Sequence, residues 1–254
     1  MACAECNSRS GLCRNDRSTG EVAVWQIQAV RDLPDQPLID KHVLVGRCVR
    51  LAVSIDTERM ACEVNALAST VWDIRGGMSR YPQEGVHRAA ETIFLRGYTP
   101  AEGDLPIEDR PPLGELPYIR QLIEQDIGSR PQRCLLARLP AGASVTPHID
   151  RAPYFSKTLR VHVPVVSHER VWMLCGGLAY VMRPGEAWAL NNTTVHGVWN
   201  AHPTLARIHL ICDFLPDPAL LEMLARGERE LGRPRPEVDA HFANLLRGQP
   251  VMAG

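Results

Sequence analysis

Four polar side chains stand close together in the stretch VTPHIDRAPYFSKTLRVHVPV, residues 145–165. A single residue separates His148 from Asp150, and a single residue separates Arg160 from His162. Alternate side chains of an extended chain share a face, so each pair points in one direction. An imidazole and a carboxylate that converge in this way can hold one metal ion, and a guanidinium favours an anion. The stretch therefore predicts a metal ion close to an anion pocket.

A third metal ligand has to come from a strand late in the domain, and His196 in NNTTVHGVW is the natural candidate. It follows the turn-like residues LNN and begins a short run that the fold can bring beside HID. Two histidines and one carboxylate with open positions are the arrangement that suits non-haem Fe(II). The alternative is a chance HxD in a chain with nine histidines. A strand histidine such as His209 is also commonly a satisfied core or surface group.

A second polar row lies in the stretch LARIHLICDF near residue 210. Arg207, His209 and Asp213 share one face of this predicted strand, whereas Ile208 and Leu210 share the other. Two polar rows on strands of one β-domain are costly unless they line a wet cavity or bind a charged molecule. The pattern favours an anion pocket inside a barrel, with solvated arginines at a sheet edge as the alternative.

Short β-rich runs dominate the chain from residue 133 to residue 214, separated by turn residues such as PAGAS, CGG, RPGE and NN. This rhythm is typical of a β-sandwich or barrel of the jelly-roll kind. Helical periodicity returns after residue 216 in DPALLEMLARGEREL and PEVDAHFANLLRG. The fold class predicted from the pattern is mainly β with flanking helices.

Elements before the β-rich region complete the prediction. Strands are expected at residues 48–56 and 91–98, and a long proline-containing loop at 99–115. A helix follows Asp56 or Thr57, with Met60, Val64, Leu67 and Val71 at helical spacing. Pro117 starts a second helix that carries Ile119, Leu122, Ile123 and Ile127 and ends at Gly128.

The predicted domain organisation has three parts: a tail at 1–20, a domain at 21–215 with its β core at about 133–215, and a helical extension at 216–254. Cys3, Cys6 and Cys13 form a CxxC with a third cysteine in the tail. They fit a mobile tail, or half of a metal site or a redox pair, and no fourth ligand follows at suitable spacing. The remaining cysteines are expected to be small core residues, namely Cys48, Cys62, Cys134, Cys175 and Cys212.

Composition excludes several classes of function. The 254 residues are 45% hydrophobic, and 28 basic residues against 29 acidic ones leave no basic excess for a nucleic acid partner. No apolar run approaches the roughly 20 residues that cross a bilayer, and the start lacks the apolar centre of a signal peptide. The expected location is the cytoplasm, where the cysteines stay reduced.

The motifs LPAGASVTPHID, TLRVHVPV and RPGEAWALNNTTVHGVWNAHPTLARIHLICDF resemble the aspartyl/asparaginyl β-hydroxylase domain of the 2-oxoglutarate-dependent dioxygenases. The resemblance covers roughly residues 133–215. It implies a double-stranded β-helix of the cupin or jelly-roll type that uses Fe(II), 2-oxoglutarate and O2. By position, His148, Asp150 and His196 would hold the iron, and Arg207 would bind the distal carboxylate of 2-oxoglutarate. Arg160 and His162 fall where similar proteins place further cosubstrate contacts.

Two positions distinguish this sequence from some members of the family. A serine that contacts 2-oxoglutarate in some relatives corresponds to Ala137 here. Other relatives lack the carboxylate ligand, and halide can fill the position that this opens. Because Asp150 is retained, hydroxylation is expected rather than halogenation.

The expected substrate is an amino acid, either free or within a peptide or carrier-bound intermediate. Loops around the barrel mouth would select it, and Arg151, Tyr154 and Lys157 are either substrate contacts or ordinary surface residues. Trp199 is expected to be a packing residue. Desaturation or cyclisation is an alternative outcome at the same centre. A cupin-like metal-binding or regulatory module without turnover is the alternative of a different class.

Overall fold

A computed structural model of the chain describes residues 33, 35–68, 71–72, 85–97, 107–128 and 130–248. The predicted tail at 1–20, with Cys3, Cys6 and Cys13, lies outside the described residues. The described part of the predicted 99–115 loop begins at residue 107 and contains a short 3-10 turn, Pro111–Glu115.

Eight consecutive strands form a jelly roll. The strands are β3 (Pro131–Leu139), β4 (Ser144–His148), β5 (Leu159–Val166), β6 (Val171–Cys175), β7 (Leu178–Tyr180), β8 (Ala187–Leu190), β9 (His196–Asn200) and β10 (Arg207–Phe214). Four of them make one antiparallel sheet in the order β8-β5-β10-β3, and the other four make a second sheet in the order β4-β9-β6-β7. This strand order is that of a double-stranded β-helix, which confirms the predicted fold class.

Two earlier strands widen the first sheet to six strands. The strand β1 (Cys48–Leu51) pairs with β8, and β2 (Glu91–Arg96) pairs with β3. Both are shorter than the predicted strands. β1 ends where its partner strand begins, because Leu51 pairs with the first residue of β8. β2 ends before Gly97, whose φ of 71° turns the chain out of the sheet.

The two faces of the six-stranded sheet differ in polarity, as strand alternation predicts. On β5 and β10 the apolar set, which includes Val161, Val163 and Leu210, belongs to the main hydrophobic core. The opposite face carries Arg160 and Arg207 and turns toward the second sheet, where the candidate site lies. The hydrophobic face therefore packs in the core, and the polar face is available to form a binding site.

Helix α2 (Thr57–Ala66) covers the apolar face of the sheet. The Asp56 carboxylate accepts a hydrogen bond of 3.0 Å from the backbone N–H of Arg59, which confirms the predicted N-cap. Met60 and Val64, four residues apart, are buried in the main core.

Helix α3 (Pro117–Gln121) begins at a proline, as predicted, and a neighbouring helix caps it. The Glu63 carboxylate accepts hydrogen bonds from the backbone N–H groups of Tyr118 and Ile119 at 2.7 and 3.1 Å. The helix does not continue as predicted, because residues Leu122–Asp126 form a single π-helical turn.

Three further helices complete the described fold: α1 (Lys41–Leu44), α4 (Pro218–Arg226) and α5 (Pro236–Leu246). α5 packs on the smaller sheet, where His241 stacks on Trp199 with ring centroids 3.8 Å apart. Nε2 of His241 also lies 2.7 Å from Oγ of Ser144. Trp199 is therefore a packing residue, which confirms its predicted role.

The expected burial of the cysteines is confirmed except at one position. Cys48, Cys134, Cys175 and Cys212 are buried, whereas Cys62 is exposed. Cys62 lies on α2. Met60 and Val64 occupy the core-facing side of this helix, so the side chain of Cys62 points to solvent.

Candidate active site

The three predicted metal ligands meet at one end of the jelly roll. His148 is the last residue of β4, His196 is the first residue of β9, and the two residues pair directly across the strands. Their ring centroids are 4.3 Å apart. The candidate ligand atoms of both histidines and of Asp150 all lie within 4.8 Å of one another, so one ion can contact all three. The register of the β4–β9 pair shifts between Val145 and His148, which sets the position of the imidazole.

Both imidazoles are held in the tautomer that a metal requires. Nδ1 of His148 lies 2.8 Å from the carbonyl oxygen of Thr146, and Nδ1 of His196 lies 3.0 Å from that of Thr194. A carbonyl oxygen only accepts, so each Nδ1 carries a proton and Nε2 is the nitrogen left to bind a metal. Nε2 of His148 is buried without a hydrogen-bond partner among the described residues, 3.6 Å from Oδ1 of Asp150. The donor set fits a divalent iron with a facial triad of ligands.

Asp150 is held as an anion. Burial alone would raise its pKa, but the charge of Arg160, electrostatic interaction with the His196 and His148 rings and a hydrogen bond from Asn192 lower the pKa below its usual value. Nη1 of Arg160 donates to Oδ2 at 2.7 Å. The carboxylate is therefore ionised and available as a ligand throughout the physiological range.

The pKa of His196 is lowered to about 4, first by burial and then by the neighbouring His148. Both effects disfavour the imidazolium form. His196 therefore presents a neutral ring at physiological pH, which is the form that binds a metal.

Arg160 lies in a buried row of ion pairs. Its Nε and Nη2 donate to the two carboxylate oxygens of Asp213 at 2.8 and 3.0 Å, while Nη1 donates to Asp150. Arg133 lies on the other side of Asp213, with 3.6 Å between Nη2 and Oδ2. This buried ion-pair row orients the Asp150 carboxylate, and the contact of Arg160 with the cosubstrate stays a prediction.

Arg207 carries a buried charge that nothing in the described protein neutralises. Its side chain is on the inward face of β10, the residue is 3% exposed, and its Nε and Nη2 atoms have no hydrogen-bond partner among the described residues. Burial lowers the pKa of the guanidinium to about 9, so it remains charged at neutral pH. A buried, unpaired cation is costly, and an incoming carboxylate would relieve that cost.

Two neutral histidines flank this guanidinium. The rings of His162 and His209 lie 5.9 Å apart in an edge-to-face arrangement, and none of their four ring nitrogens has a partner among the described residues. Burial first, and then the charge of Arg207, lower the pKa of both imidazoles well below the ordinary value. They are neutral donors or acceptors beside a cation, a set that suits a carboxylate ligand.

An apolar patch lies on the same inward face of the sheet and consists of Phe94, Leu135, Ala137 and Ile211. Ala137 pairs with His209 on one side and with Thr92 on the other. The hydroxyl of Thr92 is buried without a partner among the described residues. Polar groups beside a small apolar patch fit a short diacid with a methylene chain, as in 2-oxoglutarate.

The stability of the metal-free protein is expected to depend on pH, because the protein contains buried histidines. In the unfolded chain an imidazole takes up a proton near pH 6.5, but His162 and His209 do so in the folded state only at much lower pH. The unfolded state therefore binds more protons below pH 6.5, and the free energy of unfolding decreases by about 1.4 kcal/mol per pH unit for each such histidine.

Denaturant unfolding of metal-free protein between pH 7.5 and pH 5 measures this effect. His209→Gln should reduce the slope of stability against pH, whereas replacement of the exposed His42 by alanine should not. A free energy of unfolding that stays constant over the window in the wild type would contradict the neutral state of these rings.

Residues proposed from sequence as substrate contacts have different surroundings. Tyr154 is fully buried, and its hydroxyl accepts a hydrogen bond of 3.2 Å from the backbone N–H of Arg133. Lys157 is also buried, at 7% exposure, so neither is a surface residue. Only Arg151 is exposed as expected. His87 could not be recognised from the sequence; its ring lies 4.9 Å from that of His148 and approaches it edge on.

A family model described as aspartyl/asparaginyl β-hydroxylase matches residues 91–216 of the chain. The matched segment contains the three candidate metal ligands, Arg207 and the whole jelly roll. Residues 91–216 are an aspartyl/asparaginyl β-hydroxylase domain. The chain is accordingly a 2-oxoglutarate-dependent non-haem iron dioxygenase, with Fe(II), 2-oxoglutarate and O2 as cofactor and cosubstrates.

Solved structures with a similar fold are distant from this hydroxylase domain. A prolyl hydroxylase from Trichoplax adhaerens, in complex with a hypoxia inducible factor peptide fragment, is 11% identical, with 71% of this chain and 88% of that chain covered and a TM-score of 0.48. The epimerase SnoN from nogalamycin biosynthesis is 17% identical, with 84% and 93% covered and a TM-score of 0.43. Similarities at this level carry no argument about the reaction. Among the described residues, no helix has the length and apolar character needed to span a membrane.

Proposed function

We propose that this dioxygenase hydroxylates an aliphatic C–H of an amino acid, either free or within a peptide or carrier-bound intermediate. The substrate and 2-oxoglutarate react with O2 to give the hydroxylated product, succinate and CO2. One oxygen atom enters the product and the other enters succinate. Two observations carry the proposal: His148, Asp150 and His196 converge on one point, and the buried guanidinium of Arg207 has two nitrogens without a partner among the described residues.

The metal would be held by Nε2 of His148, Nε2 of His196 and a carboxylate oxygen of Asp150. When bound, Fe(II) supplies the activation of O2 that is coupled to decarboxylation of the 2-oxo acid. The protein's own contribution is the orientation of these ligands. Two backbone carbonyl groups fix the imidazoles, and Arg160 fixes the carboxylate.

Arg207 would bind and orient the cosubstrate. Its planar guanidinium offers two parallel N–H donors to the distal carboxylate, and this geometry fixes direction as well as affinity. His162 and His209 would complete the pocket as neutral groups, and the patch around Ala137 would contact the methylene chain. Binding of the diacid would neutralise the buried charge and exclude water from the site.

The retained carboxylate supports hydroxylation over halogenation. Asp150 occupies a ligand position with an anionic oxygen, and Arg160 and Asn192 hold it there at 2.7 and 2.8 Å. A halide would have to displace a ligand fixed by two hydrogen bonds. The amino-acid class of the substrate is supported by the family description alone.

We also propose a cellular compartment and a class of partner for the enzyme. Five described cysteines carry free thiols, which supports a reducing compartment such as the cytoplasm. The near-zero net charge supports a small-molecule, peptide or carrier-bound substrate over nucleic acid.

Three measurements test the proposed function. Anaerobic addition of Fe(II) and 2-oxoglutarate should produce the weak visible charge-transfer band of a chelated 2-oxo acid. Under O2, succinate should form slowly without substrate and faster with the correct member of an amino-acid and peptide panel, whose product should gain the mass of one oxygen. Loss of two hydrogens instead would indicate desaturation. A chain that binds the metal but forms no succinate under any condition would be a non-catalytic metal-binding module.

A further inference from the structure

The carboxylate of Asp150 presents two unlike oxygens. Oδ2 accepts hydrogen bonds from Nη1 of Arg160 at 2.7 Å and from Nδ2 of Asn192 at 2.8 Å. Oδ1 is the oxygen that lies toward the metal position, 3.6 Å from Nε2 of His148. Two donors on one oxygen hold it away from a metal and leave the other oxygen as the ligand.

Asn192 contacts Asp150 through its backbone as well as its side chain. The backbone N–H of Asp150 donates to the carbonyl oxygen of Asn192 at 3.0 Å, and the asparagine is fully buried. Two contacts between the same pair of residues fix both the position of the carboxylate and its rotation. In the sequence, this asparagine is recognisable only as part of a turn.

Lys41 determines which way the Asn192 amide faces. Its Nζ lies 2.5 Å from Oδ1 of Asn192, and the two residues are 151 positions apart in the chain. The Nζ group donates to the amide oxygen, and the amide NH2 donates to the Asp150 carboxylate, which as an anion can only accept. Lys41 is 2% exposed and lies on α1, outside the segment that matches the hydroxylase family.

We propose that Lys41 and Asn192 form a positioning relay that holds Asp150 as a one-oxygen metal ligand. The inference rests on the proposed function and adds the reason for a buried lysine near the site. Three single-atom protein ligands leave three positions of an octahedral ion for the cosubstrate and O2. A carboxylate free to bind through both oxygens would occupy one of these positions, so the relay preserves room for the reaction.

Titration of the metal-free protein with Ni(II), followed by calorimetry, tests the relay without turnover. Ni(II) binds nitrogen and oxygen ligands more tightly than Fe(II), which keeps weak variants measurable. Asn192→Ala and Lys41→Met should each weaken binding by about 10- to 100-fold, the usual effect of removing an outer partner of a metal ligand. Asn192→Asp keeps the shape but removes the donor, and it should weaken binding at least as much as Asn192→Ala.

A matched control is available at the neighbouring position. Asn191 is equally buried, but its amide donates to the backbone carbonyl of Gly46 at 2.9 Å and does not contact Asp150. Asn191→Ala should lower the melting temperature and leave Ni(II) affinity close to wild type. A variant without both His148 and His196 gives the background binding by the rest of the chain.

A double-mutant cycle separates positioning from general damage. If Asn192 acts through Asp150, Asn192→Ala should have little further effect on Ni(II) affinity in an Asp150→Ala background. Wild-type affinity in Asn192→Ala, or an equal loss in both backgrounds, would overturn the relay and leave the proposed function intact. If Asn192→Ala does not fold, Lys41→Met completes the same cycle. A wild-type protein without Ni(II) binding above background would overturn the proposed function and the relay with it.

Discussion

His196→Ala is expected to abolish 2-oxoglutarate-dependent succinate formation and to weaken metal binding by more than about 100-fold. Removing a residue that only supports a metal ligand already lowers metal affinity by about 10- to 100-fold, so removing a ligand itself should lower it more. Without His196, two groups remain within reach of the ion, His148 and Asp150, of the three that lie within 4.8 Å of one another. Calorimetric titration and succinate detection measure the two effects independently.

The matched control is His42→Ala, which removes an exposed histidine from α1. It should leave metal affinity and succinate formation unchanged. The metal-free His196→Ala protein should remain folded, because a buried neutral imidazole that forms one hydrogen bond to Thr194 is lost without leaving a buried charge. Succinate formation at the wild-type rate by His196→Ala would remove this histidine from the catalytic centre.

Arg207→Ala is expected to raise the dissociation constant for 2-oxoglutarate by about 30-fold to about 5,000-fold. The range corresponds to the roughly 2–5 kcal/mol lost when one partner of a buried charge pair is truncated. Arg207→Lys should fall between the wild type and Arg207→Ala, because an ammonium keeps the charge and loses the two-pronged geometry. Anaerobic titration of the metal-loaded protein with 2-oxoglutarate, followed by the charge-transfer band, gives these constants.

Replacing Arg207 should increase the stability of the ligand-free protein, although it weakens cosubstrate binding. Arg207 is 3% exposed and its Nε and Nη2 atoms have no partner among the described residues, so Arg207→Met should raise the melting temperature of the ligand-free protein. Arg226→Ala is the control, because Arg226 is exposed and pairs with Glu222 on the surface. An Arg207→Met protein that binds 2-oxoglutarate like the wild type would refute the assignment of the pocket.

Much of the fold and the convergence of the candidate metal ligands could be predicted because the signals are local and periodic. Alternation on β5 and β10 separates the valine face from the arginine face, and the structure buries these faces as predicted. The spacing of His148 and Asp150 indicated convergence on one ion. The prediction of His196 as the third ligand depended on its place in the strand order, which followed from the spacing of the strands in a jelly roll.

The remaining parts of the site depend on contacts between distant segments. Lys41 reaches Asn192 across 151 positions, and nothing in the residues around either one marks the contact. Arg160 was predicted on the correct face, but its pairing with Asp213 depends on the register of β5 against β10. Tyr154 read as a loop residue, whereas its ring fills a small cluster with Phe155.

The direct pairing of His148 with His196 across β4 and β9 makes ion binding sensitive to how these strands align during folding. Side chains alternate along each strand, so a slip of one residue would turn one imidazole to the opposite side of the sheet. A misaligned chain would then have too few ligands to retain the ion. Metal occupancy should consequently report correct closure of the barrel, and preparations that load poorly should be enriched in chains with a displaced strand.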